Sequence, residues 1–208
     1  IDDGERLSPT VADLNGDGML EVVAGDTAGM LYAWERDGSL LWSTAVNEDY
    51  RILATPATAD FDANGAVDTL IVPMTDGKLY AVDTQGNLMA GWPLSIGDVA
   101  EEFDSQVINS SPVVANLDGQ GMLEVVVGSY DKQLYVFNFD NQFDTTTIEG
   151  IEDTRYMPQN DGDVELWKSP VDDVIMSTPA VADIDPTMPG LEIVFAASDG
   201  SVYMMDKN

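Results

Sequence analysis

The stretch SPTVADLNGDGMLEVVAGD, residues 8–26, recurs in altered form three more times along the chain. The later copies are TPATADFDANGAVDTLIVPM from Thr55, SPVVANLDGQGMLEVVVGS from Ser111 and TPAVADIDPTMPGLEIVFAAS from Thr178. Each copy continues into a shorter shared piece: GMLYAWE, GKLYAVD, KQLYVFN or GSVYMMD. Because self-similarity of this kind marks one supersecondary unit repeated in space, these repeats decide the fold.

The spacing is constant in one half of each unit and variable in the other. From the proline near the start of each copy to its tyrosine there are 23, 24, 23 and 24 residues. From each tyrosine to the next proline the distance grows from 24 to 32 and then 44 residues. This pattern predicts a rigid unit with insertions confined to one connection, at 96–106 and 141–165. Long loops on a rigid scaffold are also where binding sites are often found.

The units are predicted to consist of strands. The runs VVAG, TLIVPM, VVVGS and IVFAA are short, apolar and rich in β-branched residues, which is typical of strands buried on both faces. Hairpin-like turns (TAG, TDG, SYDK, SDG) precede the alternating LYAWE-type strand. A further strand is indicated around Trp42, Trp92 and Trp167, and no segment shows a helical period.

Three or four strands in every 47 to 67 residues indicate an all-β fold of the β-propeller type. A β-sandwich is the main competitor, but it would not repeat the same nine-residue turn in each unit. The expected blades are 8–54, 55–110, 111–177 and 178–208, with the last blade incomplete. The four blades form either a four-bladed propeller or, as we favour, an arc of a larger ring of about six to eight blades.

The nine-residue turn DLNGDGMLE, residues 13–21, predicts a calcium site. Alternate side chains of a curled loop converge, so Asp13, Asn15 and Asp17 can share one centre, while a glycine at position 6 permits the sharp turn. The carbonyl of Met19 and the carboxylate of Glu21 complete at least five oxygen ligands, and calcium takes six to eight. An EF-hand would need its last glutamate at position 12, where a strand residue stands instead.

The other three copies keep this pattern to different degrees. The second is complete, the third replaces acids by amides, and the fourth has a threonine at position 5 and one extra residue. Their predicted ligands are Asp60, Asp62, Asn64, Ala66 (carbonyl) and Asp68; Asn116, Asp118, Gln120, Met122 (carbonyl) and Glu124; Asp183, Asp185, Thr187 and Glu192. The alternative interpretation of each loop is an Asx-type turn, in which Asp and Asn side chains bind nearby backbone amides.

Charge and composition exclude several functions. Eight basic and 38 acidic residues give a formal net charge of −30, which disfavours nucleic acid and anionic membranes. The absence of cysteine and histidine removes disulfides, thiol nucleophiles, Ser-His-Asp triads and the usual zinc sites. A bound metal must therefore be a hard cation held by oxygen. No apolar run is long enough for a membrane span, and a halophilic or marine source would also explain the acidity.

The repeated units resemble the FG-GAP (VCBS-type) repeats of integrin-α-like β-propellers, with SPxxAD or TPxxAD in place of the Phe-Gly-Gly-Ala-Pro portion. This resemblance implies calcium in the blade loops and an extracellular, cell-surface or periplasmic setting. It also implies a non-catalytic role in adhesion, assembly or scaffolding, with a protein or glycan partner at a surface. Further blades or domains of a larger polypeptide are possible partners as well. The departures at Asn116, Gln120 and Thr187 concern the third and fourth loops.

Two alternative functions remain open from the sequence. One is the propeller of a polysaccharide-active lyase or hydrolase, with its site in the inserted loops. The other follows from AWERDGSLLW and AVDTQGNLMAGW, which resemble the blade motif of quinoprotein-type propellers, in which a tryptophan docks one blade on the next. Because basic residues are few and scattered, we interpret Trp42, Trp92 and Trp167 as blade-packing residues and expect no catalytic residues.

Overall fold

A computed structural model of the chain describes residues 8–96, 108–117, 119, 123–138, 166–171, 173–187 and 190–206. The described residues form four antiparallel sheets, one for each sequence repeat, in which consecutive strands are neighbours. We number these sheets blade 1 to blade 4. None of the described residues belongs to a helix that could cross a membrane. The all-β propeller prediction is confirmed, and the insertion 141–165 and nearly all of 96–106 lie outside the described residues.

The strand bounds follow the sequence repeats. Blade 1 contains β1 (Thr10–Ala12), β2 (Glu21–Gly25), β3 (Met30–Trp34) and β4 (Leu40–Ala45). Blade 2 contains β5 (Ala57–Ala59), β6 (Thr69–Pro73), β7 (Lys78–Asp83) and β8 (Leu94–Ser95). Blade 3 contains β9 (Val113–Ala115), β10 (Glu124–Gly128), β11 (Gln133–Asn138) and β12 (Leu166–Pro170). Blade 4 contains β13 (Ala180–Ala182), β14 (Glu192–Ala196) and β15 (Val202–Asp206).

The predicted fourth strand of a blade differs in one place. Trp42 lies within β4 and Trp167 within β12, but Trp92 precedes the two-residue strand β8. The residue after Trp92 is Pro93, which has no N–H to donate to the strand ladder. It separates an isolated bridge between Leu88 and Val82 from the paired strand β8.

The first strands of the blades surround a common axis. β1 contacts β5, β5 contacts β9, and β9 contacts β13. In the described part of the chain no corresponding contact joins β13 to β1. The four blades are therefore arranged in succession, and blades 1 and 4 do not meet through their first strands.

Each blade has two apolar faces, because side chains alternate across a strand. We call the face toward the preceding blade the leading face and the face toward the following blade the trailing face. Three buried clusters occupy the spaces between blades 1 and 2, 2 and 3, and 3 and 4. In agreement with the prediction of strands buried on both faces, every residue of β6 and β10 is buried. In β2, at one end of the arc, burial alternates with partial exposure.

Trp42 connects blade 1 to blade 2, as its interpretation as a packing residue requires. Its indole N–H donates to the Thr84 carbonyl over 3.0 Å, and its ring packs against the cluster between the two blades. A Cβ added to Gly86 would lie 2.8 Å from the Trp42 ring, so the glycine leaves the space that the indole fills. Trp92 packs against the next cluster, between blades 2 and 3.

Candidate metal centre in the blade loops

All four candidate loops join the first strand of a blade to the second. The strands fix both ends of each loop. In the first, third and fourth loops the residue before the loop pairs with the acid that ends it, as in Ala12 with Glu21, whereas in the second loop Ala59 pairs with Thr69, one residue after Asp68. The glycines at position 6 of the first two loops, Gly18 and Gly65, have φ of 82° and 92°. The sharp turn predicted for this position is therefore present, in a conformation that favours glycine.

In the first loop, the carboxylate of Asp13 lies at the centre of the turn. Its Oδ1 accepts the N–H of Gly16 at 2.7 Å and of Asp17 at 3.2 Å, and its Oδ2 accepts the N–H of Gly18 at 2.8 Å. Asn15 Oδ1 also accepts the N–H of Asp17, at 3.0 Å. These are the contacts of an Asx-type turn, so the alternative interpretation accounts for this part of the loop.

The acid that ends the first loop is not explained by a turn. Glu21 is fully buried, and its Oε2 accepts the N–H of Leu14 at 2.8 Å. Its Oε1 is also buried and has no hydrogen-bond partner among the described residues. A buried carboxylate oxygen without a partner is costly in free energy, so such atoms usually have a bound ion or water.

The second loop brings three carboxylates together. Oxygens of Asp60, Asp62 and Asp68 lie within 4.8 Å of one another. Asp60 accepts the N–H groups of Asn64 at 3.0 Å and Gly65 at 2.7 Å, as Asp13 does at the equivalent positions. Asp68 Oδ2 accepts the N–H of Asp62 at 3.0 Å, and its Oδ1 is buried without a partner in the described structure.

The first loop does not gather its acids as closely, although its sequence pattern is equally complete. Among the described residues, only the three acids of the second loop have carboxylate oxygens that all lie within 4.8 Å of one another. One physical reason is the length of the last acid. Glu21 carries one more methylene than Asp68, and its carboxylate reaches the N–H at position 2 of the loop rather than the N–H at position 3.

The third and fourth loops repeat the buried acid. Glu124 Oε2 accepts the N–H of Leu117 at 2.5 Å, and Asn116 Oδ1 is buried without a partner in the described part of the chain. Glu192 Oε2 accepts the N–H groups of Ile184 at 2.6 Å and Asp185 at 3.2 Å. Glu192 Oε1 is buried and has no hydrogen-bond partner among the described residues. Asp118, Gln120 and Met122 lie outside the described residues.

The remaining candidates of the fourth loop are more exposed than Glu192. The Thr187 hydroxyl donates to Asp185 Oδ1 at 2.6 Å, and this bond, together with the Thr187 N–H, lowers the pKa of the Asp185 carboxyl from 3.8. Asp183 is exposed, and the chain has one residue more before Glu192 than in the other loops. Thr187 thus serves as a partner of Asp185 in the loop.

A second repeated feature lies in the turn after the second strand of each blade, and the sequence analysis missed it. An aspartate in this turn accepts both a backbone N–H and the hydroxyl of the blade's tyrosine. Tyr80 donates to Asp76 Oδ2 at 2.8 Å, and Tyr203 donates to Asp199 Oδ2 at 2.7 Å. The other two pairs are Tyr32 with Asp26 and Tyr135 with Asp131.

The tyrosine–aspartate pair of blade 2 also contacts blade 1. The Asn47 side-chain amide donates to the Tyr80 hydroxyl at 2.9 Å. Burial, with the Asp76 carboxylate close by, raises the pKa of the Tyr80 phenol to about 12. The spacing of four residues between aspartate and tyrosine in blades 2 to 4 could have revealed this pair, but blade 1 has a spacing of six.

Comparisons with known proteins agree with this architecture. Residues 13–71 match the model of the FG-GAP-like repeat. The chain is 29% identical over 175 residues to a lambda-carrageenase of Pseudoalteromonas carrageenovora, which covers 75% of this chain and 18% of that protein. It is 24% identical over 136 residues to the KICSTOR complex protein ITFG2 of Mus musculus, covering 62% of this chain and 30% of that protein. The chain thus spans less than a third of either relative.

Solved structures support the fold alone. BamB from Moraxella catarrhalis superposes with a TM-score of 0.58 at 19% identity, over 94% of this chain and 49% of that chain. Sqt1 from Saccharomyces cerevisiae superposes with a TM-score of 0.63 at 12% identity, over 96% of this chain and 46% of that chain. Both are β-propeller proteins, so this chain has a propeller fold built of repeated blades. The FG-GAP-like match covers the first repeat and the start of the second, and the prediction of an FG-GAP repeat protein is confirmed.

Proposed function

We propose that this chain is a calcium-binding, non-catalytic propeller module that serves adhesion, assembly or scaffolding outside the cell. The observation that carries the proposal is the buried oxygen without a partner at the end of three loops: Glu21 Oε1, Asp68 Oδ1 and Glu192 Oε1. An Asx-type turn uses the first and middle residues of the loop and leaves these oxygens unsatisfied. A cation beside them would supply the missing partner.

The donor set fits calcium better than other metals. The candidate ligands are carboxylate, amide and carbonyl oxygens, and the sequence has neither cysteine nor histidine. Hard cations prefer such ligands, and calcium accepts the flexible geometry of a surface loop more readily than magnesium. In the second loop Asp60, Asp62, Asn64 and Asp68 would hold the ion, and the equivalent residues would do so in the first.

An ion in these loops would act on stability. Three carboxylates in one loop repel each other, and a cation bound only to the folded state stabilises that state by mass action. The effect also reaches the contact between blades. Leu14 is buried in the cluster between blades 1 and 2, and its N–H is the group that Glu21 holds.

The extracellular setting is consistent with the chemistry of such sites. Calcium-binding modules outside cells function with dissociation constants of about 10⁻⁴ to 10⁻³ M, which partly exposed loops can provide. A chain with formal net charge −30 also gains from divalent cations, which reduce its self-repulsion. A protein or glycan at a surface is the partner that we propose.

Calorimetric titration of metal-stripped protein with CaCl₂ tests the calcium proposal. We expect saturable binding to the wild-type chain, weaker binding of MgCl₂, and loss of one site in Asp60→Asn. Asp49→Asn is the matched control, because Asp49 is an exposed acid outside the loops, and it should titrate like the wild type. Absence of saturable calcium binding at millimolar concentration would leave the loops as Asx-type turns and end the proposal.

A polysaccharide-active module is the second candidate function. Its support is the 29% identity to a lambda-carrageenase. The alternative predicts release of new reducing ends when the chain is incubated with lambda-carrageenan and calcium, whereas the preferred function predicts at most binding. Retention of the polysaccharide in affinity electrophoresis without new reducing ends would favour the binding module, and turnover would favour the enzyme.

A further inference from the structure

A second acid lies beside the buried carboxylate that ends the first metal loop. The register of blade 1 pairs Val22 with Trp34, the last residue of β3. The next pair in the same register is Glu21 with Glu35, whose backbone N–H still bonds across the turn to the Ser39 carbonyl. Residues directly opposite each other on antiparallel strands have Cβ atoms about 4.5–5.5 Å apart, with side chains on the same face. Glu35 is therefore the cross-strand neighbour of Glu21.

Both acids lie on the trailing face of blade 1, toward blade 2. Side chains alternate across a strand, and the residues two positions further into each strand, Val23 and Ala33, are buried in the cluster between blades 1 and 2. Glu21 is fully buried and Glu35 is half-buried. The surroundings of the two acids are thus formed by two blades that both belong to the described part of the chain.

Without a cation this pair is unfavourable, because like charges directly opposite each other destabilise a sheet. Glu21 Oε1 has no hydrogen-bond partner among the described residues, and in the same part of the chain the Glu35 carboxylate has no hydrogen bond or ion pair. Partial burial raises the pKa of the Glu35 carboxyl, and the negative charges of Glu21 and Asp17 raise it further. Arg36 does not neutralise the pair, since its Nη1 contacts Met19 Sδ at 3.3 Å.

Blade 2 has a different arrangement at the same position. Its equivalent of Glu35 is Asp83, which likewise donates its backbone N–H across the turn, to the Asn87 carbonyl. Asp83 lies opposite Thr69 rather than opposite an acid. Its Oδ1 accepts the N–H groups of Gln85 at 2.9 Å and Asn87 at 2.8 Å. The Asp83 carboxylate is therefore used within its own turn, whereas the Glu35 carboxylate faces the acid that ends the metal loop.

We propose that Glu35 is a further ligand of the first metal centre, added from the end of β3 to the oxygens of loop 13–21. This inference rests on the proposed calcium function. Among the described residues, the first loop does not bring three carboxylate oxygens within 4.8 Å, as the second does. The long side chain of Glu35 can turn toward the loop and supply a fourth carboxylate beside those of Asp13, Asp17 and Glu21. A cation at the unpartnered Glu21 Oε1 would then neutralise both members of the cross-strand pair.

Calorimetric titration with CaCl₂ of the metal-stripped Asp60→Asn chain, in which the second centre is disabled, tests this proposal. Glu35→Gln keeps the size of the side chain and removes its charge, and it should weaken the tightest remaining site by about 10- to 100-fold. Glu35→Asp keeps the charge and should recover part of the affinity. Asp83→Asn is the matched control, because it removes one charge at the equivalent position of blade 2, and it should leave the affinity unchanged.

Thermal unfolding separates a metal ligand from a structural residue. In excess chelator Glu35→Gln should raise Tm, because it removes one charge from an unneutralised pair, and in saturating calcium it should lower Tm. Equal shifts in both conditions, or an unchanged calcium affinity in Glu35→Gln, would overturn the assignment of Glu35 and leave the calcium proposal standing. Absence of calcium binding to the wild-type chain would instead end the calcium proposal, and the role of Glu35 with it.

Discussion

Glu21→Gln is the substitution that best separates a metal loop from a simple turn. The glutamine keeps the shape of the side chain and an oxygen to accept the Leu14 N–H, which Glu21 Oε2 now accepts at 2.8 Å. What it removes is the charge of a fully buried carboxylate whose other oxygen has no partner in the described structure. The metal interpretation therefore predicts opposite effects of this substitution with and without calcium.

The expected magnitude follows from mass action and the size of the chain. At a free calcium concentration of 100 times Kd, one site stabilises the folded state by about 2.7 kcal/mol. For a chain of 208 residues, 1 kcal/mol shifts Tm by about 2–4 °C. Loss of the site should therefore lower Tm in calcium by about 5–11 °C. In chelator the variant should equal or exceed the wild type, because an unpartnered buried charge has been neutralised.

Differential scanning calorimetry in two conditions, excess chelator and saturating calcium, measures both effects. Glu48→Gln serves as the control, since Glu48 is exposed and its substitution changes the net charge by the same amount. The control should show the wild-type response to calcium. If Glu21→Gln keeps the full calcium response, or if it is equally destabilised in both conditions, Glu21 does not hold a metal and its role is structural.

The remaining predictions concern contacts within and between blades. Gly25→Ala would place a Cβ 2.3 Å from Ile52 Cγ2, and we expect a loss of about 1–3 kcal/mol in urea unfolding, partly restored by Ile52→Ala; an unchanged midpoint would contradict this packing. Trp42→Phe removes the donor to the Thr84 carbonyl and should cost about 0.5–1.5 kcal/mol beyond the lost ring contacts, whereas a neutral effect would show that the indole does not fasten the blades. Burial raises the pKa of Tyr80 from 10.0 to about 12, so its stabilising contribution is complete below pH 10 and is lost as pH rises toward 12. In Tyr80→Phe this part of the alkaline loss should disappear from pH-dependent melting curves; parallel curves for both proteins would refute the assignment.

The strands could be predicted because their signal is local. Apolar β-branched runs such as 69–73 and 124–128 predicted strands buried on both faces, and both are buried at every residue. The strand around Trp92 was predicted, but its restriction to Leu94–Ser95 was not, because that depends on which residues beside Pro93 pair with β7. The sequence of a single strand also could not show that strands of the inner blades are buried on both faces and that β2 in an end blade is not. That difference depends on which blade lies next to each face.

The site was predictable as a set of residues but not as a geometry. The spacing of oxygens in 13–21 and 60–68 identified the loops, and the glycines at position 6 adopt positive φ as expected. The sequence did not indicate that the last acid is buried, nor that it holds a backbone N–H across the loop. It also did not indicate that the second loop gathers its acids more closely than the first, since that depends on the strand register as well, which pairs Ala12 with Glu21 but Ala59 with Thr69.

The buried acid explains why the loop and the blade contact occur together in the first and third repeats. In the first loop, residue 14 serves two purposes: its side chain enters the cluster between blades 1 and 2, and its N–H binds Glu21. Leu117 does the same in the third loop, in the cluster between blades 3 and 4. A change at the carboxylate is thereby transmitted through one residue to the packing of two blades. Calcium in such a loop would fix the position of an apolar side chain at the interface, which is a structural task and needs no catalytic group nearby.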